Sequence, residues 1–174
     1  MTRTLLLLRH AKSSRDDPTL DDFDRPLAKR GREAAPHMGR EMVRRGWLPD
    51  RALVSAALRT RQTWELAEAE LPRAVPAIPD RSIYEAPAER ILDAVRSTPA
   101  GVETLLVIGH NPGFEDLVSL LASPGSAPEA MERVKRKFPT AGLARLVLTG
   151  AWADLGPGSA ALTDFLSPRD GEPR

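Results

Sequence analysis

The sequence predicts a three-layer αβα sandwich, in which a largely parallel central sheet lies between two layers of helices. Several short apolar runs end abruptly in polar residues, which is typical of strands buried on both faces of a sheet. Helical segments lie between these runs, and alternation of strands with helices favours parallel βαβ units. The chain has 174 residues, no internal repeat and no obvious linker, so we expect a single domain over residues 1–174.

Four apolar runs are predicted to be strands, and a fifth segment is a weaker candidate. The first run, Thr4 to Leu8, contains four consecutive leucines and stops at Arg9. The three other apolar runs lie at 51–55, 104–109 and 144–149, and the weaker candidate lies at 81–84.

Five segments between the strands are predicted to be helices, at 29–45, 60–71, 87–96, 114–121 and 129–137. The first contains Pro36, which removes a backbone donor and favours a bend or a later start, and it ends before Gly46. The last is highly charged, and we expect it to be exposed. Residues 167–174 are polar and contain two prolines, so we expect a frayed tail there.

Composition and charge argue against several classes of function. The 25 basic and 24 acidic residues give a net charge of +1, which provides no reason to expect a nucleic-acid or membrane partner. The absence of cysteine excludes disulfides, thiol catalysis and cysteine-ligated zinc. The leucine run is too short for a signal peptide or a membrane span. We therefore expect a cytoplasmic protein.

Three of the predicted strands lead directly into polar clusters. These clusters are Arg9-His10, the segment 55–63 with Arg59, and His110-Asn111. The carboxyl ends of parallel strands meet at one edge of a sheet, where α/β proteins bind their ligands. We therefore expect two histidines and at least two arginines to converge at this edge.

The chemistry of these side chains indicates a phosphoryl-transfer site. Arginine binds phosphate oxygens bidentately, and a neutral histidine can attack phosphorus and form a covalent intermediate. The helix start near Thr60 and the turn at Asn111 offer backbone donors, which makes Asn111 a candidate substrate-binding residue. Arginines and a second histidine supply positive charge without a metal. No metal-ligand spacing accompanies any histidine, so we expect neither a metal nor another cofactor.

Together, these motifs resemble those of the histidine phosphatase superfamily, which includes the phosphoglycerate mutases. The matching segments are Arg9-His10, Ser55 with Arg59 and Gln62-Thr63, and Gly109-His110-Asn111-Pro112. The short length, Arg25-Pro26-Leu27 and Pro139-Thr140-Ala141 are similar to the small SixA-type branch of phosphohistidine phosphatases. The resemblance covers about Leu5 to Pro168 and implies a phosphoglycerate mutase-like fold. Ala11 stands where the family often has glycine, a change that the small branch often shows.

The resemblance implies a role for each matching residue. His10 matches the nucleophile that becomes phosphorylated, and Arg9 and Arg59 match the two phosphate-binding arginines. His110 matches the second histidine, which contacts the transferring phosphoryl group. Glu85 is the nearest match to the acid that protonates the leaving group in larger members, although a rim carboxylate would occupy the same position.

The sequence leaves the roles of three further residues open. Lys12 either raises the potential of the site or is solvated. Arg25 either reaches the pocket or pairs with a nearby aspartate. Thr140 either lines the site or serves a turn.

The resemblance implies a phosphatase that acts through phospho-His10 on a phosphorylated protein, with phosphohistidine as its leading substrate. One alternative is a phosphatase of small phosphorylated metabolites. Another is a non-catalytic phosphoprotein-binding module, although binding alone would not require His10. The short segment between Arg61 and His110 leaves little room for a lid, so we expect an open site. The sequence gives no indication of the oligomeric state.

Overall fold

The computed structural model describes residues 1–170, which form one six-stranded mixed sheet with helices on both faces. The strands are β1 (Thr2–Arg9), β2 (Arg51–Ser55), β3 (Ala77–Asp80), β4 (Thr104–Gly109), β5 (Leu143–Thr149) and β6 (Ala160–Leu166). The helices are α1 (Lys29–Arg45), α2 (Leu58–Glu68), α3 (Ala88–Arg96), α4 (Gly113–Leu121) and α5 (Pro128–Arg136). Short 3₁₀ turns lie at Asp22–Asp24, Arg81–Ile83 and Trp152–Asp154.

The sheet order is β3-β2-β4-β1-β5-β6, so β4 and β1 lie at its centre. The first four strands of this order are parallel, whereas β5 and β6 are antiparallel to their neighbours. Since β1, β2 and β4 run in the same direction, their carboxyl ends at Arg9, Ser55 and Gly109 lie at one edge. The predicted αβα sandwich with a mostly parallel sheet is confirmed.

The alternation of leucines along β1 accounts for the three layers. Leu5 and Leu7 belong to the core that α3, α4 and α5 cover, and Leu6 and Leu8 belong to the core under α1 and α2. All four leucines are fully buried. A strand buried on both faces must be apolar at every position, which is why this run shows no alternation of polar residues.

The outer strands differ from the predictions. The candidate strand at 81–84 is wrong, because Arg81–Ile83 forms a 3₁₀ turn and the strand lies before it at Ala77–Asp80. This edge strand is mostly exposed and contains Pro79, a residue that sheets tolerate at an edge, so no apolar run marks it. The strand β6 has no counterpart among the predicted elements, because Thr163 and Asp164 interrupt its apolar pattern.

The helices follow the predictions closely, with two differences in detail. Helix α1 continues through Pro36 as one 17-residue helix, and its apolar face buries Ala35, Met38 and Met42. Helix α5, expected to be exposed, buries Ala130 and Val134 on one side. Within residues 1–170, none of the helices combines the length and the apolarity needed to cross a bilayer.

Residues 167–170, where a frayed tail is expected, instead form a turn that is anchored to the helices. The Asp170 carboxylate accepts hydrogen bonds from the backbone amide of Ser167 and from Arg133 Nη2, each at 2.8 Å. His37 Nε2 lies 3.2 Å from the carbonyl oxygen of Asp170. The rest of the expected tail, residues 171–174, lies outside the described residues.

Gly39 allows α1 and α2 to pack closely against each other. A Cβ atom at this position would lie 2.5 Å from the carbonyl oxygen of Ala67 in α2. Because the obstructing atom belongs to the backbone, a larger residue would require one helix to shift.

We expect Gly39→Ala to lower the free energy of unfolding by about 1–3 kcal/mol, because overpacking outweighs the better helix propensity of alanine. Urea unfolding followed by circular dichroism measures this change. Gly101→Ala is the control, since a Cβ there would meet nothing within 4 Å, and its effect should stay below about 0.5 kcal/mol. Equal stability of the two variants would contradict the close packing of α1 on α2.

Candidate active site

The ends of the two central strands bring His10 and His110 together in one cluster of side chains, here called the pocket. The register pairs Arg9 with Gly109, so each histidine is the next residue along its chain. The two imidazole centroids are 5.4 Å apart. The exposed fractions are 7% for His10 and 2% for His110, so both rings lie largely out of water.

The backbone after β1 determines which nitrogen of His10 is free. His10 Nδ1 lies 2.8 Å from the carbonyl oxygen of Ala11, which can only accept, so Nδ1 carries the proton and Nε2 does not. The amide of Ala11 in turn donates to Thr63 Oγ1 at 3.0 Å. The same hydroxyl donates to the carbonyl oxygen of Arg59 at 2.7 Å. Helix α2 therefore holds the carbonyl that orients His10.

Ala141, in the turn before β5, has a left-handed backbone conformation and forms hydrogen bonds with the end of β1. Ala141 has a φ of 60°, and its amide lies 3.1 Å from the carbonyl oxygen of Arg9 and 3.0 Å from that of His10. Of residues 1–170 other than glycine, only Ala141 and Glu85 have positive φ. Ala11 therefore replaces the glycine common in the family without backbone strain.

Burial keeps both histidines uncharged at neutral pH. Loss of hydration lowers the pKa of His10 to about 4 against the opposing hydrogen bond to Ala11, and the nearby guanidinium of Arg59 adds to the decrease. Loss of hydration also lowers the pKa of His110 to about 3, with further contributions from His10 and Arg59. His10 therefore presents an unprotonated nitrogen, which is the form that can act as a nucleophile.

The guanidinium of Arg59 is buried and contacts two carboxylates. Its Nη2 atom donates to Glu85 Oε1 at 2.7 Å and to Asp22 Oδ2 at 3.0 Å. Its Nη1 atom donates to the carbonyl oxygen of Asp22 at 2.7 Å. A buried cation requires such partners, and a bound anion would provide equivalent ones.

Asp22 belongs to this pocket although no sequence motif marks it. Its carboxylate also accepts hydrogen bonds from Tyr84 Oη and from Arg25 Nε, the latter at 3.0 Å. Burial by itself raises the pKa of Asp22, but hydrogen bonds from Tyr84 and Arg59 outweigh it and hold the pKa well below its ordinary value. Of the two alternatives for Arg25, the structure shows the pairing with an aspartate. The cluster of aspartates before Arg25 was the available signal, but spacing does not reveal which one reaches Arg59.

Glu85 lies at the rim of the pocket, where its side chain is 45% exposed. Its Oε1 atom is 3.4 Å from His110 Nδ1 in addition to its contact with Arg59. On the other side of the ring, His110 Nε2 lies 2.7 Å from Ser55 Oγ. His110 is therefore held between a buried hydroxyl and a carboxylate that solvent and ligands can reach.

Of the other candidate residues, Arg9 and Asn111 contact the protein's own backbone. Arg9 Nη1 donates to the carbonyl oxygen of Phe138 at 2.8 Å. Asn111 Oδ1 accepts from the amide of Glu115 at 3.0 Å, which places this side chain at the start of α4. Lys12 and Thr140 line a groove beside Arg9. Within residues 1–170, no three histidine, aspartate or glutamate side chains are grouped as a metal site would require.

Comparison with known proteins identifies the family. No protein-family model matches the chain. A structure from Nakamurella multipartitia, provisionally named phosphohistidine phosphatase SixA, is 32% identical and superposes with a TM-score of 0.83 over 97% of each chain. The chain belongs to the SixA-type branch of the histidine phosphatase superfamily.

Three further proteins are similar to the chain. A structure from Agrobacterium tumefaciens with the same provisional name is 28% identical to this SixA-type protein, with a TM-score of 0.79 over 95% of this chain and 99% of that one. An uncharacterized protein of Mycobacterium tuberculosis is 40% identical over 169 residues, which are 93% of this chain and 100% of the relative. Phosphoglycerate mutase from Plasmodium falciparum, at 19% identity and a TM-score of 0.62 over 99% of this chain and 95% of that one, shares the fold.

We expect the rings of His10 and His110 to remain neutral down to about pH 5, because burial lowers their pKa to about 4 and about 3. Proton NMR titration of the imidazole signals, assigned with His10→Ala and His110→Ala, tests this. In the unfolded chain these histidines titrate near 6.5, so the unfolded state binds more protons and stability should fall as the pH decreases from about 6.5 towards 4. Titration midpoints near 6.5 in the folded protein would contradict the buried, neutral state of the pair.

Proposed function

We propose that this SixA-type protein is a metal-independent phosphatase that hydrolyses phosphohistidine in a protein through a covalent intermediate on His10. One observation supports the proposal most strongly. His10 is a buried, neutral imidazole whose Nδ1 proton is bound by Ala11, so that Nε2 is free to attack. Arg59 and Arg9 lie close enough to lower its pKa, and they supply the charge that holds a phosphoryl group.

The proposed reaction has two in-line displacements. In the first, His10 Nε2 forms a bond to phosphorus while the bond to the substrate nitrogen breaks, and the electron pair leaves with that nitrogen. In the second, water attacks phospho-His10, which releases inorganic phosphate and restores the imidazole. Arg9, Arg59 and His110 stabilise the equatorial oxygens in both steps, and such fixed donors contribute several kcal/mol each in other enzymes.

Substrate binding in this proposal begins with an exchange of anions. In the described structure, both Nη atoms of Arg59 donate to Asp22, and Nη2 also donates to Glu85. The phosphoryl group of a substrate would replace the Asp22 carboxylate on Arg59, because both are oxygen anions that accept from the same guanidinium face. Asp22 lies in a short surface turn and is partly exposed, so this turn can withdraw without disturbing the sheet.

Two features favour a phosphorylated protein side chain over a small metabolite. The described residues between Arg61 and His110 are used by α2, β3, α3 and β4, which belong to the body of the fold and leave no separate lid. Glu85, the nearest candidate for a general acid, lies 2.7 Å from Arg59 Nη2 and is held in an ion pair with it. A phosphohistidine leaving group needs little acid assistance, since its nitrogen can carry its own proton.

A second candidate function is the hydrolysis of phosphate esters of small metabolites on the same scaffold. The position of Glu85 supports it, because a half-exposed carboxyl group at the pocket rim can approach the leaving oxygen and, in its protonated form, donate its proton there. An alkoxide needs a proton as it departs, and general acids contribute about 10²–10⁴-fold to such steps.

We expect a phosphate adduct on His10 in protein quenched during turnover of an aryl phosphate, and no adduct in His10→Ala. Mass spectrometry after an alkaline quench measures it, because phosphohistidine is labile in acid. Thermal melting shows whether His10→Ala is folded. Turnover by wild type without an adduct, or an adduct that persists in a folded His10→Ala protein, would refute the role of His10. Binding of phosphoproteins without turnover would favour the binding-module alternative.

We expect Glu85→Gln to separate the two substrate classes. If phosphohistidine is the substrate, the kcat of the variant on a phosphohistidine peptide should differ from that of wild type by less than about fivefold. The kcat on a matched phosphoserine peptide, which wild type hydrolyses more slowly, should fall by about 10²-fold or more. Steady-state kinetics on the two peptides measures this difference. Glu89→Gln, which removes an exposed carboxylate from the start of α3, is the matched control. Equal losses on both peptides, or a wild-type preference for phosphoserine, would favour the ester phosphatase.

A further inference from the structure

A groove of about 860 Å³ runs from Arg9 along the surface of the protein. Its walls come from the residues after β1, the first turns of α1, the loop before β5 and residues 167–169. A groove of this size holds several side chains of a ligand and is much larger than a single ion requires. Arg9 lines this groove and precedes His10 in the chain, so the groove lies next to the proposed phosphoryl site, although His10 itself is not part of its lining.

The groove is strongly cationic, although the whole chain is almost neutral. Its described lining contains five cationic side chains, Arg9, Lys12, Arg30, Lys137 and Arg169, and one carboxylate, Glu33. The net charge of the chain is only +1. Positive charge is therefore concentrated beside the proposed active site, because outside the groove the chain has more acidic than basic residues.

These cations are available to a ligand in the described part of the chain. Within residues 1–170, Lys12, Arg30, Lys137 and Arg169 form none of the salt bridges. All four residues are exposed. By contrast, Arg25 and Arg59 on the other side of the pocket are paired with Asp22.

The backbone of the groove is fixed where it meets the active site. The amide of Ala28 donates to the carbonyl oxygen of Lys12 at 2.8 Å. A Cβ atom at Gly31 would lie 2.2 Å from the same carbonyl oxygen, so only glycine lets α1 approach residue 12 this closely. This backbone contact holds the start of α1 against residue 12, and Lys12 and Arg30 both line the groove.

The distribution of the cations indicates the shape of the ligand. They come from four separate segments along the groove, whereas a single phosphate group would be met by converging donors. Exposed lysine and arginine side chains on a groove wall suit several weak contacts with an extended anion and give specificity and fast association. In the proposed function, Arg9 and Arg59 bind the phosphoryl group itself. The groove would therefore contact the part of the substrate to which the phosphoryl group is attached.

We infer that this groove, here called the basic groove, binds an acidic polypeptide segment that flanks the phosphohistidine of a protein substrate. The aspartate and glutamate carboxylates of that segment would contact Arg30, Lys137 and Lys12 while the phosphoryl group lies against His10. This inference rests on the proposed function for the identity of the phosphorylated group, but recognition of the acidic segment can be tested separately.

The first test measures binding without catalysis. A fluorescein-labelled peptide with glutamates around a central histidine is compared with the same peptide carrying glutamines, by anisotropy at about 0.05 M and 0.5 M salt. We expect wild type to bind the acidic peptide about tenfold more tightly at low salt, with the preference lost at high salt. Arg30→Gln/Lys137→Gln should lose the preference, and Arg30→Lys/Lys137→Arg should keep it.

The control variant is Arg90→Gln/Lys135→Gln, which removes the same charge from exposed positions outside the basic groove. It should retain the preference for the acidic peptide, because local charge and not net charge determines binding. Equal binding of both peptides by wild type would overturn the inference. An equal loss of preference in the groove variant and the control would also overturn it.

The second test uses the phosphorylated forms of the same peptides as substrates. We expect kcat/KM to favour the acidic phosphohistidine peptide by a similar factor in wild type and not in Arg30→Gln/Lys137→Gln. If acidic peptides bind through the groove but no phosphohistidine is hydrolysed, the proposed function fails while the groove assignment holds. Acidic peptides could fail to bind while a small bisphosphate binds more tightly than the matching monophosphate, with this difference lost in Arg30→Gln/Lys137→Gln. In that case the groove binds a small anion, and the assignment to a polypeptide is wrong.

Discussion

The parallel pairing of β1 with β4 is the constraint on which the rest of the site depends. Residues opposite one another in adjacent parallel strands leave the sheet at the same level, so the pair of Arg9 with Gly109 delivers His10 and His110 side by side. The pairing persists because the aliphatic runs at 5–8 in β1 and 105–108 in β4 are buried between the two layers of helices. A slip by one residue would turn each leucine of β1 to the opposite layer and separate the histidines.

Around this pair, the protein assembles cations that would repel one another without compensation. Arg59 is nearly inaccessible to water, and the loss of its hydration is offset by Asp22 and Glu85. The histidines avoid adding to the repulsion because they stay neutral. Hydrogen bonds of Thr63 with Ala11 and Arg59 connect the end of the first strand with α2, so His10 and Arg59 share one backbone support.

The sequence predicts the central strands of the sheet far better than the edge strands and the turns. The runs that become β1, β2 and β4 must be apolar because they are enclosed by helices, and each ends in the residues that meet at the pocket. The strands β3 and β6 lie at the two edges, where one-sided exposure permits proline, threonine and aspartate and removes the pattern. Asp22 could not be predicted for a related reason, because it lies in a turn and turns have no hydrophobic periodicity. Its contact with Arg59, 37 residues away in the sequence, is formed only in the folded chain.

If Arg59 binds the phosphoryl group as proposed, the Asp22 carboxylate that it already holds is an internal competitor for that group. An external anion can bind only to the molecules in which Asp22 has released Arg59. Its apparent affinity is therefore the intrinsic affinity multiplied by the fraction of such molecules, and this factor is the same for every anion. Inorganic phosphate can contact the protein only within the pocket. A phosphoryl group attached to a larger molecule is accompanied by contacts between the rest of that molecule and the protein surface. Self-occupancy therefore lowers the occupancy of Arg59 by any free anion, while preference for a larger phosphorylated partner would come only from that partner's additional contacts.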